Sequence, residues 1–376
     1  MDDGPGRLAL FIASLAAGGA ERVLSGLANA WAERGRDVLL VTLAPASSDF
    51  YTLHRAVRRV GLGLLKDSSN PLEAVRANAR RLAALRLALS EARPEVLVSF
   101  MTGANVLSLA ASKGLSFPVV VSERIDPREW SEGWFWSAAR QLLYPSASAL
   151  VVATESVAAW AKEEFRRVRV HVIPNPVLVS GGRGAPSPLP ADRVRTVLAM
   201  GRMTRQKGFD LLLAAFGRVV PRHPGWRLVI LGGGEERPRL DALVRELGIA
   251  DKVSMPGTTR DPSTFFSAAE IFVLSSRFEG FPNALLEAMA HGLPVIAADC
   301  PSGPAEIVTD GEDGLLVPRE DVPALASGLD RLMSDPEERA RLGARAKEVR
   351  ERFSLDRILA LWDDLLAEVV RAPRGR

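Results

Sequence analysis

The chain has 376 residues, 47% hydrophobic and 25% charged, a composition that suits two or three globular domains and excludes a disordered, collagenous or low-complexity protein. Its single cysteine, Cys300, excludes an internal disulfide and a cysteine-built metal centre, and four scattered histidines argue against a histidine-rich one. Net charge is +3, with 21 basic against 17 acidic residues up to Ser180 and 27 against 28 beyond it. Any pull on anions therefore belongs mainly to the first half. Aromatic-interleaved basic runs are absent, so no nucleic-acid partner is expected; a phosphate-bearing or membrane-surface partner fits better.

Leu8–Ala20 is an apolar stretch of 13 residues preceded by Asp2 and Asp3 against Arg7 alone. That is the wrong charge for an export signal and too short to span a bilayer, so it is expected to be a buried strand and a turn. Short apolar runs then alternate with amphipathic segments. Leu8–Ser14, Val38–Leu43, Val96–Met101, Pro118–Ser122, Leu150–Thr154 and Val170–Ile173 read as strands buried on both faces. Ala20–Arg34, Pro71–Ala92, Trp134–Leu143 and Val157–Phe165 read as helices. Such alternation means βαβ units and a parallel sheet.

The Gly-, Pro- and Ser-rich stretch at 179–193 interrupts this rhythm and marks a linker between a domain at 1–178 and one at 194–354. In the latter, Val197–Met200, Arg227–Leu231, Val253–Met255, Ile271–Leu274, Val295–Ala298 and Leu315–Val317 read as strands. The chain looks wholly helical from Asp321, and the final segment, 355–376, is expected to pack back on the first domain. The fold class is thus α/β, two doubly wound domains, with a ligand cleft expected at the carboxyl ends of their strands.

Three motifs carry chemistry. Gly18-Gly19-Ala20-Glu21 joins the first strand to the first helix, where glycines admit a ligand and free amides favour an anion; a tight structural turn explains it equally well. It lacks the spacing of a dinucleotide fingerprint. Gly201-Arg202-Met203-Thr204-Arg205-Gln206-Lys207-Gly208 leaves the first strand of the second domain, so Arg202 and Lys207 can meet phosphate as a fork and a point charge. In isolation it reads rather as a surface loop carrying three cations. The most specific is Phe278-Glu279-Gly280-Phe281-Pro282-Asn283-Ala284-Leu285-Leu286-Glu287. It places two carboxylates eight residues apart across a turn and a helix start. Amides from Phe281 to Leu285 would face an anion, and Glu287 a hydroxyl pair such as a ribose.

With these residues the chain resembles the retaining glycosyltransferases of family 4, of the GT-B fold, over nearly its whole length. The likeness rests on Gly18–Glu21, Ile173-Pro174-Asn175-Pro176, Gly201-Arg202 with Lys207-Gly208, Glu279 with Glu287, and Val295–Val317 with its Gly303-Pro304 and Asp313-Gly314. Val121–Arg124 with Asp126-Pro127, and Cys300–Pro304, resemble the branch of polysaccharide and lipid-linked-oligosaccharide transferases, including GalNAc transferases acting on polyprenyl-diphosphate glycans. The resemblance implies two Rossmann-like domains facing across a cleft. It implies a nucleotide-diphosphate sugar as donor, expected to be UDP-linked, and a glycan or polyprenyl-diphosphate-glycan acceptor.

By the same resemblance Arg202 and Lys207 would neutralise the diphosphate and Glu287 would hold the ribose. Glu279 would hold sugar hydroxyls and steady an oxocarbenium-like centre. Gly280, Phe281, Pro282, Asn283, Ala284 and Leu285 would line the sugar and phosphates, with Gly257, Thr258 and Thr259 near the base. One departure matters. Many members carry a histidine after the fifth strand of the first domain, whereas Ser122-Glu123-Arg124 stands here; either Glu123 or Arg124 replaces it, or the two form an ion pair at a strand end. No Asp-x-Asp is present, so no metal and no other cofactor is expected. No nucleophile is singled out either, which favours front-face attack over a covalent intermediate.

Acceptor recognition falls to the first half. Arg76, Arg80, Arg81 and Arg86 decorate the Pro71–Ala92 helix beside a leucine stripe, and Trp130, Trp134, Phe135 and Trp136 crowd one stretch. Both suit a lipid diphosphate or the inner face of the cytoplasmic membrane, and both also suit an ordinary solvated face and a half-buried aromatic cluster. Other readings are a soluble small-molecule acceptor, a sugar-nucleotide epimerase, and a non-catalytic sugar-binding module. The intact set of Arg202, Lys207, Glu279 and Glu287 argues against the last.

Overall fold

The computed structural model describes residues 4–66, 70–130, 133–178 and 195–372. The expected linker, 179–193, lies outside the described residues. The chain divides into two units, one comprising Met1–Pro176 with Leu355–Arg376 and the other Val177–Ser354.

In the first unit seven strands run β1 (Arg7–Ile12), β2 (Asp37–Thr42), β3 (Arg58–Gly61), β4 (Val96–Phe100), β5 (Val119–Ser122), β6 (Ala149–Val152) and β7 (Val170–Val172). They pair in parallel in the order β3-β2-β1-β4-β5-β6-β7. Alternation along β1 sends Leu8, Leu10 and Ile12 to one face of the sheet and Ala9 and Phe11 to the other. Helices cover both faces, as parallel sheets require. β3 is absent from the sequence expectation. It is an edge strand that begins with two charged residues: Arg58 pairs with Asp37 (2.8 Å) and Arg59 with Asp49 (2.7 Å). β7, expected to be buried on both faces, is a half-buried edge.

The Leu355–Arg371 helix completes this unit. Ile358, Leu359, Trp362, Leu365, Leu366 and Val369 recur at helical spacing and are all buried in the core above β1 and β4. Trp362 stacks on Phe100 (6.0 Å between centroids) and meets Trp31 edge-on (6.3 Å). Asp363 accepts from Trp31 Nε1 and Arg36 Nη1, both at 2.8 Å.

The second unit holds β8 (Arg195–Met200), β9 (Trp226–Leu231), β10 (Val253–Gly257), β11 (Ile271–Leu274), β12 (Val295–Asp299) and β13 (Leu315–Pro318). All are parallel, in the order β10-β9-β8-β11-β12-β13. Taken from β8, this is the dinucleotide-fold order 3-2-1-4-5-6, whose strand order reverses between β8 and β11. β10 is an edge with residues alternately half-buried and exposed. Four helices follow β13: Val322–Ser334, Pro336–Ala346 and Val349–Arg352 in this unit, and Leu355–Arg371 in the first.

Because Trp362 is fully buried, Trp362→Ala should destabilise the first unit by about 3–5 kcal/mol, measured by denaturant titration.

Candidate functional site

In doubly wound sheets the loops leaving the two strands at the reversal diverge and leave room for a ligand. Here those loops follow β8 and β11. The β8 loop ends in a tight turn, Arg205–Lys207, which passes through Gly208 into the Phe209–Val219 helix. Gly208 sits at φ +62°, and a Cβ there would lie 2.1 Å from the Ser275 carbonyl oxygen. Only glycine lets the two loops approach this closely. Ser275 Oγ donates to the Lys207 carbonyl at 2.9 Å, closing the seam.

Across that seam Lys207 Nζ lies 2.6 Å from Glu279 Oε1, with the two side chains 16% and 6% exposed. The same carboxylate oxygen accepts from Ser276 Oγ at 2.5 Å, while Ser302 Oγ, from the loop after β12, donates to the Glu279 backbone carbonyl at 2.7 Å. The structure thus joins two of the expected donor residues into one ion pair held from three loops. Arg202 stands apart on the same β8 loop, its side chain exposed.

The remaining donor candidates follow the turn. Gly280 and Pro282 are buried and Asn283 and Ala284 half-buried, leading into the Asn283–Ala290 helix. Phe281 is buried edge-on against Phe353, 5.5 Å between centroids. Glu287 lies in the helix, 3% exposed. One expectation is corrected. The Leu285 N–H donates to the Pro282 carbonyl (3.1 Å) as the helix closes its first turn, so that amide is not presented to an anion. Gly257 ends β10, its carbonyl accepting from Gly232 N (2.9 Å), and Thr258 beside it is exposed.

In the first unit Gly18 is the extended N-cap of the Gly19–Glu33 helix, and Tyr51 Oη donates to its carbonyl at 2.9 Å. Glu123 and Arg124 directly follow β5, both buried, with hydrogen bonds running to different partners. Thr102 Oγ1 lies 2.9 and 3.0 Å from the two Glu123 carboxylate oxygens, and Tyr144 Oη donates to one at 2.5 Å. Burial, with Glu123 alongside, pushes the Tyr144 hydroxyl well above its ordinary pKa. Arg124 lies over Phe100 (4.3 Å) and Trp362 (5.5 Å), and its Nη1 donates to Ile173 O and Asn175 Oδ1. Burial lowers its pKa to about 9.

The arginines of the Pro71–Ala92 helix separate into two sets. Arg81 turns back onto the Leu64 and Lys66 carbonyls and Arg86 onto those of Ala111 and Lys113. Arg76 and Arg80 are exposed, on the same stripe as exposed Leu72 and Val75. Trp134 is 83% exposed and Phe135 51%, whereas Trp136 packs on the core.

Sequence reasoning did not single out Ser276, Ser302 or Arg277 as site residues. A serine pair between a buried strand and Glu279 was the available signal for Ser276. Cys300 is a further site neighbour, its Sγ donating to Ser276 O at 3.0 Å. Burial, with a smaller push from Glu279, raises its thiol to about 12. At pH 8 it should therefore react slowly with a disulfide reagent in the folded protein and rapidly after denaturation, followed by absorbance.

Two family models match. Residues 18–176 fit the glycosyl transferase 4-like domain and residues 186–349 the glycosyl transferases group 1 domain. Over 229 residues, 60% of this chain, it is 38% identical to an exopolysaccharide phosphotransferase of Streptomyces coelicolor, but the match spans only 24% of that longer protein. Over 97% of this chain and 99% of the relative it is 29% identical to a Campylobacter jejuni enzyme. That enzyme is named as an α-1,4-N-acetyl-D-galactosaminyltransferase acting on GalNAc-α-(1→4)-GalNAc-α-(1→3)-diNAcBac-PP-undecaprenol. Among solved structures, Anabaena HepE in complex with UDP superposes with a TM-score of 0.79 at 20% identity, covering 96% of this chain and all of that one.

Proposed function

Because the chain belongs to the family 4 glycosyltransferases of the GT-B fold, we propose that it moves a hexose or N-acetylhexosamine from a UDP-sugar, with retention, to a lipid-diphosphate-linked oligosaccharide or a polysaccharide. The observation that carries the donor half is the Lys207–Glu279 pair at the strand-order reversal of the second unit. Support for the acceptor class comes from the Campylobacter jejuni relative, whose named acceptor is such a lipid diphosphate. Support for UDP comes from the nucleotide held by HepE.

The chemistry asked of the site is departure of a diphosphate. As the glycosidic bond breaks, negative charge grows on the phosphate oxygens, and cations already in place lower that barrier without reorganising. Glu279 fixes the Lys207 ammonium in advance, and Arg202, exposed on the same loop, adds a second cation. One oxygen of Glu279 is occupied by Lys207 and Ser276, which leaves the other to accept from a sugar hydroxyl. Glu287 takes the ribose, and the backbone at Gly257 and Thr258 the base. The departing phosphate removes the acceptor's proton in a front-face step, with no metal; isolation of a glycosylated Glu279 would overturn that part.

The exposed stripe of Leu72, Val75, Arg76 and Arg80, with Trp134, suits an anionic bilayer surface through its apolar and cationic groups together. Among the described residues no helix is long and apolar enough to cross a membrane.

Two tests follow. UDP should raise the melting temperature. In EDTA-containing buffer Lys207→Ala should abolish that rise and lower kcat/KM by about 10²–10³-fold. Failure of UDP and UDP-sugars to shift the wild type defeats the donor assignment. The protein should also sediment with anionic vesicles at low salt, and an Arg76/Arg80 double alanine variant should not; equal sedimentation of the two removes this stripe from the acceptor side.

A further inference from the structure

We infer that Arg277 is a positioning residue, whose guanidinium sets the turn that carries Lys207 and so fixes where the ammonium meets the diphosphate. This rests on the donor reading of Lys207 above; the geometry of Arg277 stands without it.

Arg277 lies two residues before Glu279, on the loop leaving β11, and is joined to the opposite loop at several points. Its backbone N–H donates to Gln206 O at 2.7 Å and its Nη1 to Arg205 O at 2.8 Å. Gln206 Nε2 answers with a bond to Phe278 O at 3.0 Å. Together with Ser275 on Lys207 O, these bonds engage the carbonyl of every residue in the Arg205–Lys207 turn. A three-residue turn has little hold of its own. Arg277 supplies the charged part of this hold.

The guanidinium is itself fixed from the far side. Asp210, in the first turn of the Phe209–Val219 helix, receives a two-pronged contact from Nη1 (2.9 Å) and Nη2 (2.8 Å), and Nε reaches Glu320 at 2.7 Å. Such a fork is directional and strong. An ordinary surface ion pair contributes little, but here Arg277 and Asp210 are only 15% and 19% exposed. Asp210 responds to both surroundings: burial pushes its carboxyl up, and the Arg277 bonds outweigh that and hold it below its usual value. Arg277 is raised further above its ordinary range, by the Asp210 bond first, so it stays charged at any working pH.

Amine acetylation read by mass spectrometry reports the placement of Lys207 directly, with exposed Lys113 as the internal reference. In the wild type Lys207 should label slowly, being held on Glu279. In Arg277→Gln its labelling should rise about tenfold, corresponding to ~1.4 kcal/mol of lost hold, while Lys113 is unchanged. Arg277→Lys should not restore protection, because an ammonium cannot make the fork. Asp210→Asn should act in the same direction, and it decides the matter if Arg277→Gln does not fold.

Unchanged Lys207 labelling in variants that still melt cooperatively overturns the inference. In parallel, the UDP-induced rise in melting temperature should shrink in Arg277→Gln; a diminished rise with unaltered labelling also overturns it. A wild type that UDP does not stabilise defeats the donor reading instead, and the labelling still decides the role of Arg277.

Discussion

A carboxylate and an ammonium in contact at the point where a parallel sheet reverses its strand order constrain much of what surrounds them. Glu279 is nearly withdrawn from water, and a charge so placed is tolerated only with a partner and hydrogen bonds for its remaining lone pairs. Lys207 and Ser276 meet that requirement at one of its two oxygens, and each needs a loop held in register. Gly208 permits the two loops to touch, Ser275 and Arg277 fasten them, and Ser302 fixes the backbone of Glu279 itself. Removing either charge leaves the other uncompensated, so the pair is a structural commitment as well as a chemical one.

The first unit resolves a similar problem differently. Its buried Glu123 is satisfied in part by the hydroxyls of Thr102 and Tyr144, and Tyr144 in turn accepts from Asn105 Nδ2 at 2.9 Å. Arg124 lies on two aromatic faces, with Nε and Nη2 lacking hydrogen-bond partners among the described residues. Both side chains are absorbed in holding the ends of β4, β5 and β7 together. That placement leaves no exposed charge at the Ser122-Glu123-Arg124 segment.

Much of this was legible in the sequence. Runs such as Val96–Phe100 and Val295–Ala298 betray central parallel strands because both of their faces must be apolar, and the periodic Ile358, Trp362 and Leu365 announce a helix seeking a core. Edge strands obey no such rule, which is why Arg58–Gly61 passed unnoticed. Glu279 and Glu287 stood out through their spacing within one local motif. Arg277 did not, because its meaning depends on Arg205 and Asp210, 72 and 67 residues away. Spacing also suggested that Leu285 would present its amide, whereas the helix consumes that group in its own first turn.

The return of the Leu355–Arg371 helix to the first unit has a consequence for biosynthesis. The second unit is a continuous length of chain, whereas the first is interrupted by it and receives Trp362 as the lid of its core only after the second has been synthesised. Domains emerging from a ribosome ordinarily mature in order from the amino terminus. Here the later-made unit can consolidate first, while the earlier one waits with the apolar surface around Trp31 and Phe100 open to solvent and to chaperones.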